Sequence, residues 1–245
     1  ATETKVSICF RRLMSVLLKK QQCFDFTGIL LTGKAGYLQP MPRFAANLSM
    51  LFTEAPLLER FERAARAGFT AVELQSPYDT PAEQLQQALF RNKLTLVLHN
   101  LPTGDWAAGE RGIACHPDRV EEFRKGVDTA LAYAAVLGAP QLNCLAGIRP
   151  ANVPVETARR VLVDNLRFAA TKLKAQGIKL LIEPINTHDI PGFFVSGTRQ
   201  ALDLIAEVGA DNLFLQIFQQ SEAAHLFFFG DVVVHAAGGD GTLSN

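Results

Sequence analysis

Short apolar runs alternate with helix-like stretches along most of this 245-residue chain, and this alternation limits the possible folds more than any other feature. The apolar runs predict six strands, at residues 43–50, 70–74, 94–98, 141–145, 179–183 and 212–216. The helices predicted between them span 56–67, 81–91, 118–137, 156–175 and 198–208. Each strand–helix unit covers roughly 30 to 40 residues, which is typical of parallel strands joined by right-handed crossovers. The pattern therefore predicts an α/β fold, either a closed barrel or an open doubly wound sheet.

The turn after the first predicted strand has no glycine-rich dinucleotide motif, which favours the barrel over the open sheet. The predicted fold is thus a TIM (β/α)8-type barrel. Two further strand–helix units would have to follow Gln216, and the remaining residues do not show their pattern, so we expect a barrel truncated after its sixth strand. The predicted organisation is an N-terminal extension at 1–40, a barrel region at 41–216 and a C-terminal tail at 217–245.

Composition limits the partners of such a protein. The chain has 24 Lys and Arg against 24 Asp and Glu, whereas a nucleic-acid-binding surface needs an excess of basic residues, so no nucleic-acid partner is predicted. Four cysteines lie far apart in the sequence: Cys9, Cys23, Cys115 and Cys144. They predict free thiols in the reducing cytoplasm. No apolar run reaches the roughly 18 residues that span a bilayer, so no membrane partner is predicted; basic residues around 13–18 leave a targeting peptide open as an alternative.

Glu183 is the strongest candidate for chemistry. It directly follows the apolar run at 179–182 and is followed by Pro184, Ile185 and Asn186. A carboxylate at the end of a buried strand must be paired, hydrogen-bonded or metal-bound, because an isolated buried charge costs at least several kcal/mol. Active sites of such barrels lie at the C-terminal ends of the strands. The sequence therefore predicts a metal-assisted site around Glu183.

Further polar residues stand near the ends of the other predicted strands. They are Asn47, Glu73, His99, Asn100 and Asn143. They converge on one site if the strand register brings them to one face of the sheet. The alternative is that each has a local role, because a strand-end Asn often satisfies a turn and a single His is often a hydrogen-bonded wall residue. We predict that Glu73, His99 and Asn100 bind the substrate.

A long polar segment at 102–117, called the lid loop below, holds the one tryptophan of the chain, Trp106. Loops of this length without regular structure are usually functional or disordered. Trp106 is suited to cover a pocket, and the planar guanidinium group of Arg111 is suited to bind a carboxylate. We predict that both residues contact the substrate; the alternative is a solvated loop in which Glu110 and Arg111 balance local charge.

Residues 41–216 resemble the hydroxypyruvate isomerase family, a branch of the xylose isomerase-like TIM barrels. The resemblance is carried by RFAANLSMLF at 43–52, HNLP at 99–102, GDWAAGERGIA at 104–114, NCL at 143–145, LIEPIN at 181–186 and DIPGF at 189–193. The stretch at 104–114 is long and specific. Together these motifs span about seven-tenths of the chain.

The resemblance implies an activity and a cofactor. The family interconverts hydroxypyruvate, a three-carbon keto acid of glyoxylate metabolism, and tartronate semialdehyde (2-hydroxy-3-oxopropanoate). It implies a divalent ion, Mg²⁺ or Mn²⁺, that stabilises the enediolate intermediate, with Glu183 as both a catalytic carboxylate and a metal ligand. From the chemistry of the substrate we expect Arg111 and His99 to hold or polarise it. A homo-oligomer is also compatible with the resemblance.

The sequence departs from the family pattern after Gln216. The family has a Gln-Tyr-Asp-x-Tyr-His stretch there whose aspartate binds metal, whereas this chain has IFQQ at 217–220. Nothing later matches the family's remaining ligands or its second catalytic glutamate, and hard cations need several oxygen ligands. Metal binding and catalysis by this chain are therefore open. The alternatives are a catalytically inactive barrel fragment that binds a carboxylate or a partner, and another sugar isomerase, epimerase or metal-dependent endonuclease of the same superfamily.

Overall fold

The computed structural model describes residues 44–216, so the predicted extension at 1–40 and the predicted tail at 217–245 lie outside the described residues. The described elements are β1 (Ala46–Asn47), α1 (Leu57–Arg66), β2 (Ala71–Leu74), α2 (Ala82–Asn92), β3 (Thr95–Asn100), a 3₁₀ turn (Pro117–Arg119), α3 (Val120–Leu137), β4 (Gln141–Cys144), α4 (Val155–Lys174), β5 (Lys179–Ile182), α5 (Thr198–Val208) and β6 (Leu213–Leu215). Within this range the predicted alternation of six strands with five helices is confirmed.

The six strands of the described range form one parallel sheet in the order β1-β2-β3-β4-β5-β6. An open doubly wound sheet reverses its strand order at a switch point, whereas a barrel adds each new strand beside the previous one. The sequential order therefore confirms the TIM-barrel prediction. The described residues supply six of the eight strands that such a barrel contains.

Two strands, β1 and β3, end well away from their predicted boundaries, whereas β2, β4, β5 and β6 differ from the prediction by no more than one residue at either end. β1 ends at Asn47 and does not continue to residue 50, because the Asn47 carbonyl oxygen accepts hydrogen bonds from the N–H groups of Met50 and Leu51 at 3.1 and 2.9 Å. The Asn47 side chain also accepts a bond from the Ser49 N–H at 3.0 Å. Such asparagine bonds turn the chain. β3 continues two residues further than predicted, to Asn100.

Prolines and glycines mark the ends of the helices, as the sequence indicates. α1, α2 and α4 begin directly after Pro56, Pro81 and Pro154; a proline disfavours the helical conformation of the residue before it, so each helix starts after an extended segment. α3 ends at Gly138, whose φ of 69° lies in the left-handed region that favours glycine. Among the described helices, none combines the length and the apolar character needed to cross a bilayer.

The two faces of the sheet bury different side chains. On the face that packs against the helices, the main core contains Leu180 and Ile182, both fully buried. The opposite face holds a smaller apolar cluster of Leu98, Leu181 and Phe214. Because successive residues of a strand point to opposite faces, this smaller cluster marks the interior of the barrel.

Polar residues follow the interior cluster on the same face. Asn100, Glu183 and Gln216 each stand two positions after a member of that cluster, and two positions along an extended chain return the side chain to the same face. All strands run in the same direction, so these polar groups gather at the carboxyl end of the sheet interior. This is the end where TIM barrels carry their active sites.

Two glycines bring the lid loop into contact with the segment after β4. Gly112 has a φ of +110°, and a Cβ at this position would overlap the carbonyl oxygen of Leu145. Gly147 has a φ of +98°, and a Cβ there would overlap the carbonyl oxygen of Gly112. The backbones of the two segments are therefore packed directly on each other, without side chains between them.

Replacing Gly112 with Ala should destabilise the protein more than replacing Gly109 with Ala. Both glycines lie in the lid loop with a positive φ, so both variants carry the strain of a side chain in that conformation. Only at Gly112 does the new methyl group meet backbone atoms; at Gly109 nothing lies within 4 Å. We expect the free energy of unfolding to fall by about 1–3 kcal/mol more for Gly112→Ala, as measured by urea denaturation. Equal losses would show that the contact with Leu145 is not closely packed.

Candidate active site

A cavity of about 440 Å³ lies at the carboxyl end of the sheet interior. Glu183 contributes to its wall together with Asn100 and Trp106, and Gln75 and Asp189 are among the other lining residues. Glu183 directly follows β5 and is half-buried. The fold therefore brings three residues of the sequence-based prediction, Glu183, Asn100 and Trp106, to one cavity.

Asn143 connects two of these residues. Its Nδ2 donates a hydrogen bond to Glu183 Oε2 at 3.0 Å and another to Asn100 Oδ1 at 3.2 Å. This bridging follows from the sheet, because β4 lies between β3 and β5 and its Asn143 is in register with Asn100. A hydrogen bond from a neutral amide to a carboxylate is charge-assisted and stabilises the ionised form.

Two opposing effects act on the Glu183 carboxyl group. Burial raises its pKa because the ionised form loses hydration, and the hydrogen bond from Asn143 lowers it. Burial is the larger effect and raises the pKa of Glu183 to about 7. A carboxyl group with a pKa near neutrality is suited both to accept a proton and to return it.

Glu73 is a second carboxyl group in the barrel interior. It lies in β2 with 4% of its surface exposed, and its Oε1 accepts a hydrogen bond from Asn47 Nδ2 at 2.8 Å. Its Oε2 is buried and has no hydrogen-bond partner among the described residues. Burial and, secondly, the negative charge of Glu183 raise the pKa of Glu73 well above its usual value. Both effects favour the protonated form of Glu73, and the second acts when Glu183 is ionised.

His99 lies on the other face of β3. Leu98 belongs to the interior cluster and Asn100 lines the cavity, so strand alternation directs the intervening His99 toward the helices. Its ring is fully buried, with Nδ1 3.2 Å from the hydroxyl group of Tyr78, which also contacts Tyr133 of α3. Burial lowers the pKa of His99 to about 4, so the ring is neutral at neutral pH. The structure separates His99 from the cavity. Its Nδ1 lies 3.1 Å from the Asn100 carbonyl oxygen, to which the Tyr78 hydroxyl group also donates, at 2.5 Å.

Trp106 and Arg111 stack on each other in the lid loop. The guanidinium carbon of Arg111 lies 4.0 Å from the centroid of the Trp106 ring. Its Nη1 donates to the carbonyl oxygens of Trp106 and Glu110 at 3.0 and 2.7 Å. The Glu110 carboxylate accepts bonds from Arg119 and from the Asp105 N–H, which closes the loop on itself. Trp106 lines the cavity, and Arg111 is held against it in a fixed orientation.

The side chains of residues 44–216 do not form a metal site by themselves. No group of three or more His, Cys, Asp or Glu side chains in this range is arranged to hold an ion. Glu183 is the one ligand that the sequence predicts there. Mg²⁺ and Mn²⁺ need about six oxygen ligands. The predicted ion therefore does not fit this donor set, and a tight site would need ligands outside the described residues.

Gln216 is an interior polar residue that the sequence-based prediction does not name, and Asn143 is one that it names as a strand-end candidate without a specific role. Each has a buried side-chain oxygen without a hydrogen-bond partner in the described region. Their signal in the sequence is a polar residue in or directly after an otherwise apolar strand. Gln216 stands two positions after the interior residue Phe214, just as Glu183 stands two positions after Leu181. Once Glu183 is known to face the interior, the two-residue period of a strand therefore predicts that Gln216 faces it too.

Comparisons with known proteins agree with this architecture. Residues 61–237 match the family model of the xylose isomerase-like TIM barrel. Over 176 residues the chain is 57% identical to hydroxypyruvate isomerase of Escherichia coli K12 and 47% identical to 2-oxo-tetronate isomerase of Cupriavidus necator. Each of these matches covers 72% of this chain and 68% of the relative. A crystal structure described as AP endonuclease, family 2, from Brucella melitensis matches with a TM-score of 0.70 and 45% identity, covering 72% of this chain and 68% of that one.

His99 should make the stability of the protein depend on pH between about 4 and 6.5. The pKa of His99 falls from 6.5 to about 4 on folding, so within this interval the unfolded chain binds a proton that the folded protein does not. The free energy of unfolding should therefore decrease as the pH falls through this interval, by about 1.4 kcal/mol per pH unit at most. Urea denaturation of the wild type and His99→Phe at several pH values measures this contribution.

The comparison with His99→Phe is needed because Glu73 acts in the opposite direction. Its pKa is raised on folding, so the stability it contributes is present below its ordinary pKa and is lost as the pH rises. Tyr78, the titratable group in contact with His99, has a pKa that burial raises and stays protonated throughout. If the stability difference between wild type and His99→Phe does not change with pH, the ring of His99 is not held in its neutral form.

Proposed function

The chain belongs to the family of xylose isomerase-like TIM barrels, and from that membership we propose that it is an isomerase that interconverts hydroxypyruvate and tartronate semialdehyde. The similarity to relatives named hydroxypyruvate isomerase and 2-oxo-tetronate isomerase supports an isomerase. The observation that carries the proposal is the placement of Glu183. Its carboxylate lies in the cavity wall, with Oε2 held by Asn143 and with Oε1 free of hydrogen-bond partners among the described residues.

The reaction moves a carbonyl group to the neighbouring carbon. Hydroxypyruvate loses a proton from its hydroxymethyl carbon, and the resulting enediolate carries its negative charge over two oxygens. A proton returned to the second carbon, with transfer of the hydroxyl proton from the third-carbon oxygen to the second-carbon oxygen, gives tartronate semialdehyde. Substrate and product are isomers, so the reaction consumes neither oxidant nor reductant. It requires a base that can return the proton it has taken.

Glu183 is the base in this proposal. It accepts the proton from the hydroxymethyl carbon and returns it to the neighbouring carbon. Asn100 lines the same cavity, and its Nδ2 has no partner among the described residues, so it is available to donate a hydrogen bond to an enediolate oxygen. Burial raises the pKa of Glu73 and so disfavours a second negative charge near the enediolate.

The carboxylate of the substrate is assigned to Arg111. Only Nη1 of its guanidinium group is used in hydrogen bonds to described residues, and the planar group matches a carboxylate with two parallel bonds. Stacking on Trp106 fixes the plane of the guanidinium group beside a cavity-lining ring. A pre-oriented cation loses less conformational freedom when it binds its ligand.

A four-carbon 2-oxo acid is the second candidate substrate. The relative from C. necator is named 2-oxo-tetronate isomerase, and such an acid undergoes the same enediolate chemistry. A cavity of about 440 Å³ is larger than a three-carbon acid needs, and it is also lined by Asn186 and Asp189. These polar groups can bind the additional hydroxyl group of the longer acid.

Glu183→Gln should lower kcat for hydroxypyruvate by about 10²- to 10⁴-fold, because an amide cannot accept the proton. The full chain is incubated with hydroxypyruvate and Mg²⁺ or Mn²⁺, and the formation of tartronate semialdehyde is followed. Glu62→Gln is the matched control, since Glu62 is an exposed carboxylate of α1 that pairs with Arg66. It should retain the wild-type rate.

The outcomes separate the candidate functions. Turnover that persists in Glu183→Gln excludes Glu183 as the base. A folded wild-type chain that binds hydroxypyruvate without converting it would favour the inactive barrel fragment over an enzyme. Conversion of 2-oxo-tetronate with a higher kcat/KM than hydroxypyruvate would identify the four-carbon acid as the better substrate.

Arg111→Gln should raise KM for hydroxypyruvate about 10- to 100-fold with little change in kcat. A hydrogen bond to a charged group is worth about 1.5–3 kcal/mol, and the carboxylate is bound equally in the ground state and the transition state. Trp106→Phe keeps an aromatic ring next to the guanidinium group and should raise KM less. Steady-state kinetics of the three proteins test this; an unchanged KM in Arg111→Gln would assign carboxylate binding to another residue.

A further inference from the structure

Asn143 lies between Asn100 and Glu183, two polar residues that line the cavity. It is part of β4, has 1% of its surface exposed, and stands between Asn100 on one side and Glu183 on the other. It does not line the cavity itself, whereas both of its neighbours do. Asn143 is therefore in contact with two groups that face the substrate cavity but is not exposed to a ligand there.

Both N–H bonds of the Asn143 amide are used by these neighbours. One is directed to Asn100 Oδ1 at 3.2 Å and the other to Glu183 Oε2 at 3.0 Å. Both partner atoms are hydrogen-bond acceptors, so rotating the amide by 180° would place oxygen against oxygen. The orientation of the Asn143 amide is thus fixed by its surroundings.

The side-chain oxygen of Asn143 has no hydrogen-bond partner in the described part of the chain, which favours a role in the site over a purely structural one. Asn143 Oδ1 is buried and has no partner among the described residues, and such an unpaired buried oxygen costs free energy. Asn165 of α4 is equally buried, with 1% exposed, and donates a single hydrogen bond to the Ala114 carbonyl oxygen at 2.9 Å. Asn165 has no contact with a cavity-lining polar group, which makes it the structural counterpart of Asn143.

We propose that Asn143 is a positioning residue that determines which atoms of Glu183 and Asn100 meet the substrate. With Oε2 occupied, Glu183 presents Oε1 to the cavity as its proton-accepting atom. With Oδ1 occupied, Asn100 presents its Nδ2 as a hydrogen-bond donor. The Asn143 amide thus places a proton acceptor, Glu183 Oε1, beside a hydrogen-bond donor, Asn100 Nδ2. The kinetic consequence rests on the proposed function of Glu183, whereas the hydrogen-bonded arrangement does not.

The kinetic test compares Asn143→Leu with Asn165→Leu. Each replaces a fully buried amide by an apolar side chain of similar size. We expect kcat for hydroxypyruvate to fall about 100-fold in Asn143→Leu, because a base displaced by about 1 Å loses a factor of that order, while KM changes less than about threefold. Asn165→Leu should keep the wild-type kcat even where its melting temperature is lowered. Equal kcat values in the two variants would overturn the proposal.

Proton exchange during turnover gives a readout that a purely structural role would not change. In ²H₂O, a well-oriented Glu183 returns part of the abstracted proton to the same substrate molecule, whereas a poorly oriented one loses it to solvent. Asn143→Leu and Asn143→Asp should therefore raise the fraction of product that carries solvent deuterium. Asn143→Asp retains the shape but removes both donors. A deuterium fraction unchanged from the wild type in both variants would contradict the proposal.

A test without turnover separates this inference from the proposed function. In NMR spectra of the ¹⁵N-labelled full chain, the two side-chain amide protons of Asn143 should exchange slowly with solvent. Removing one acceptor with Glu183→Leu should shift one of the two signals and speed its exchange; identical signals in wild type and Glu183→Leu would exclude the contact. If wild-type protein does not convert hydroxypyruvate but the signals respond as expected, the proposed function fails and the arrangement around Asn143 stands.

Discussion

One geometric constraint governs the site: in strands that enclose a common interior, side chains two positions apart share a face. Leu98, Leu181 and Phe214 fill that interior, and the next inward positions place Asn100 and Glu183 at the carboxyl end, in the cavity wall. The apolar layer beneath them excludes water, which raises the free energy of a charge above it. The pKa of Glu183 therefore depends on the apolar layer that contains Leu181 as well as on the hydrogen bond from Asn143.

The titratable groups around the barrel interior differ in how burial changes their pKa. Glu73 and Glu183 are close enough for the negative charge of Glu183 to raise the pKa of Glu73, which disfavours two negative charges in the pair. Each carboxyl group accepts a hydrogen bond from an asparagine amide, Glu183 from Asn143 and Glu73 from Asn47, so the deeper burial of Glu73 favours ionisation of Glu183. His99 remains neutral on the opposite face of β3. Glu183 thus stands in the cavity wall with a pKa of about 7, beside the uncharged amide groups of Asn100 and Asn143.

The order of the strands and the position of Glu183 could be predicted from the sequence because both are local signals: apolar runs bounded by turns, and a carboxylate directly after one of them. The face of His99 could not be predicted. The run at 94–98 is apolar almost throughout, so its inward and outward positions cannot be distinguished, and the pairing of β2 with β3 has an irregularity between Val72 and Glu73. The bridging amide of Asn143 depends on contacts between three neighbouring strands, which appear only once the sheet is formed.

β4 supports parts of the site that are distant in sequence. Asn143 lies within the strand, and the lid loop packs at Gly112 on the backbone just after it. The carbonyl oxygen of Gly147, in the same segment, accepts a hydrogen bond at 2.9 Å from the N–H of Phe194, which belongs to the chain that follows Glu183. The loop with the proposed carboxylate-binding arginine, the amide that orients the base, and the segment after the base therefore share one backbone support. Because proton transfer is sensitive to displacements of about 1 Å, the tight packing of glycine backbones around β4 is part of what positions Glu183, although none of those glycines reaches the proposed reacting atoms.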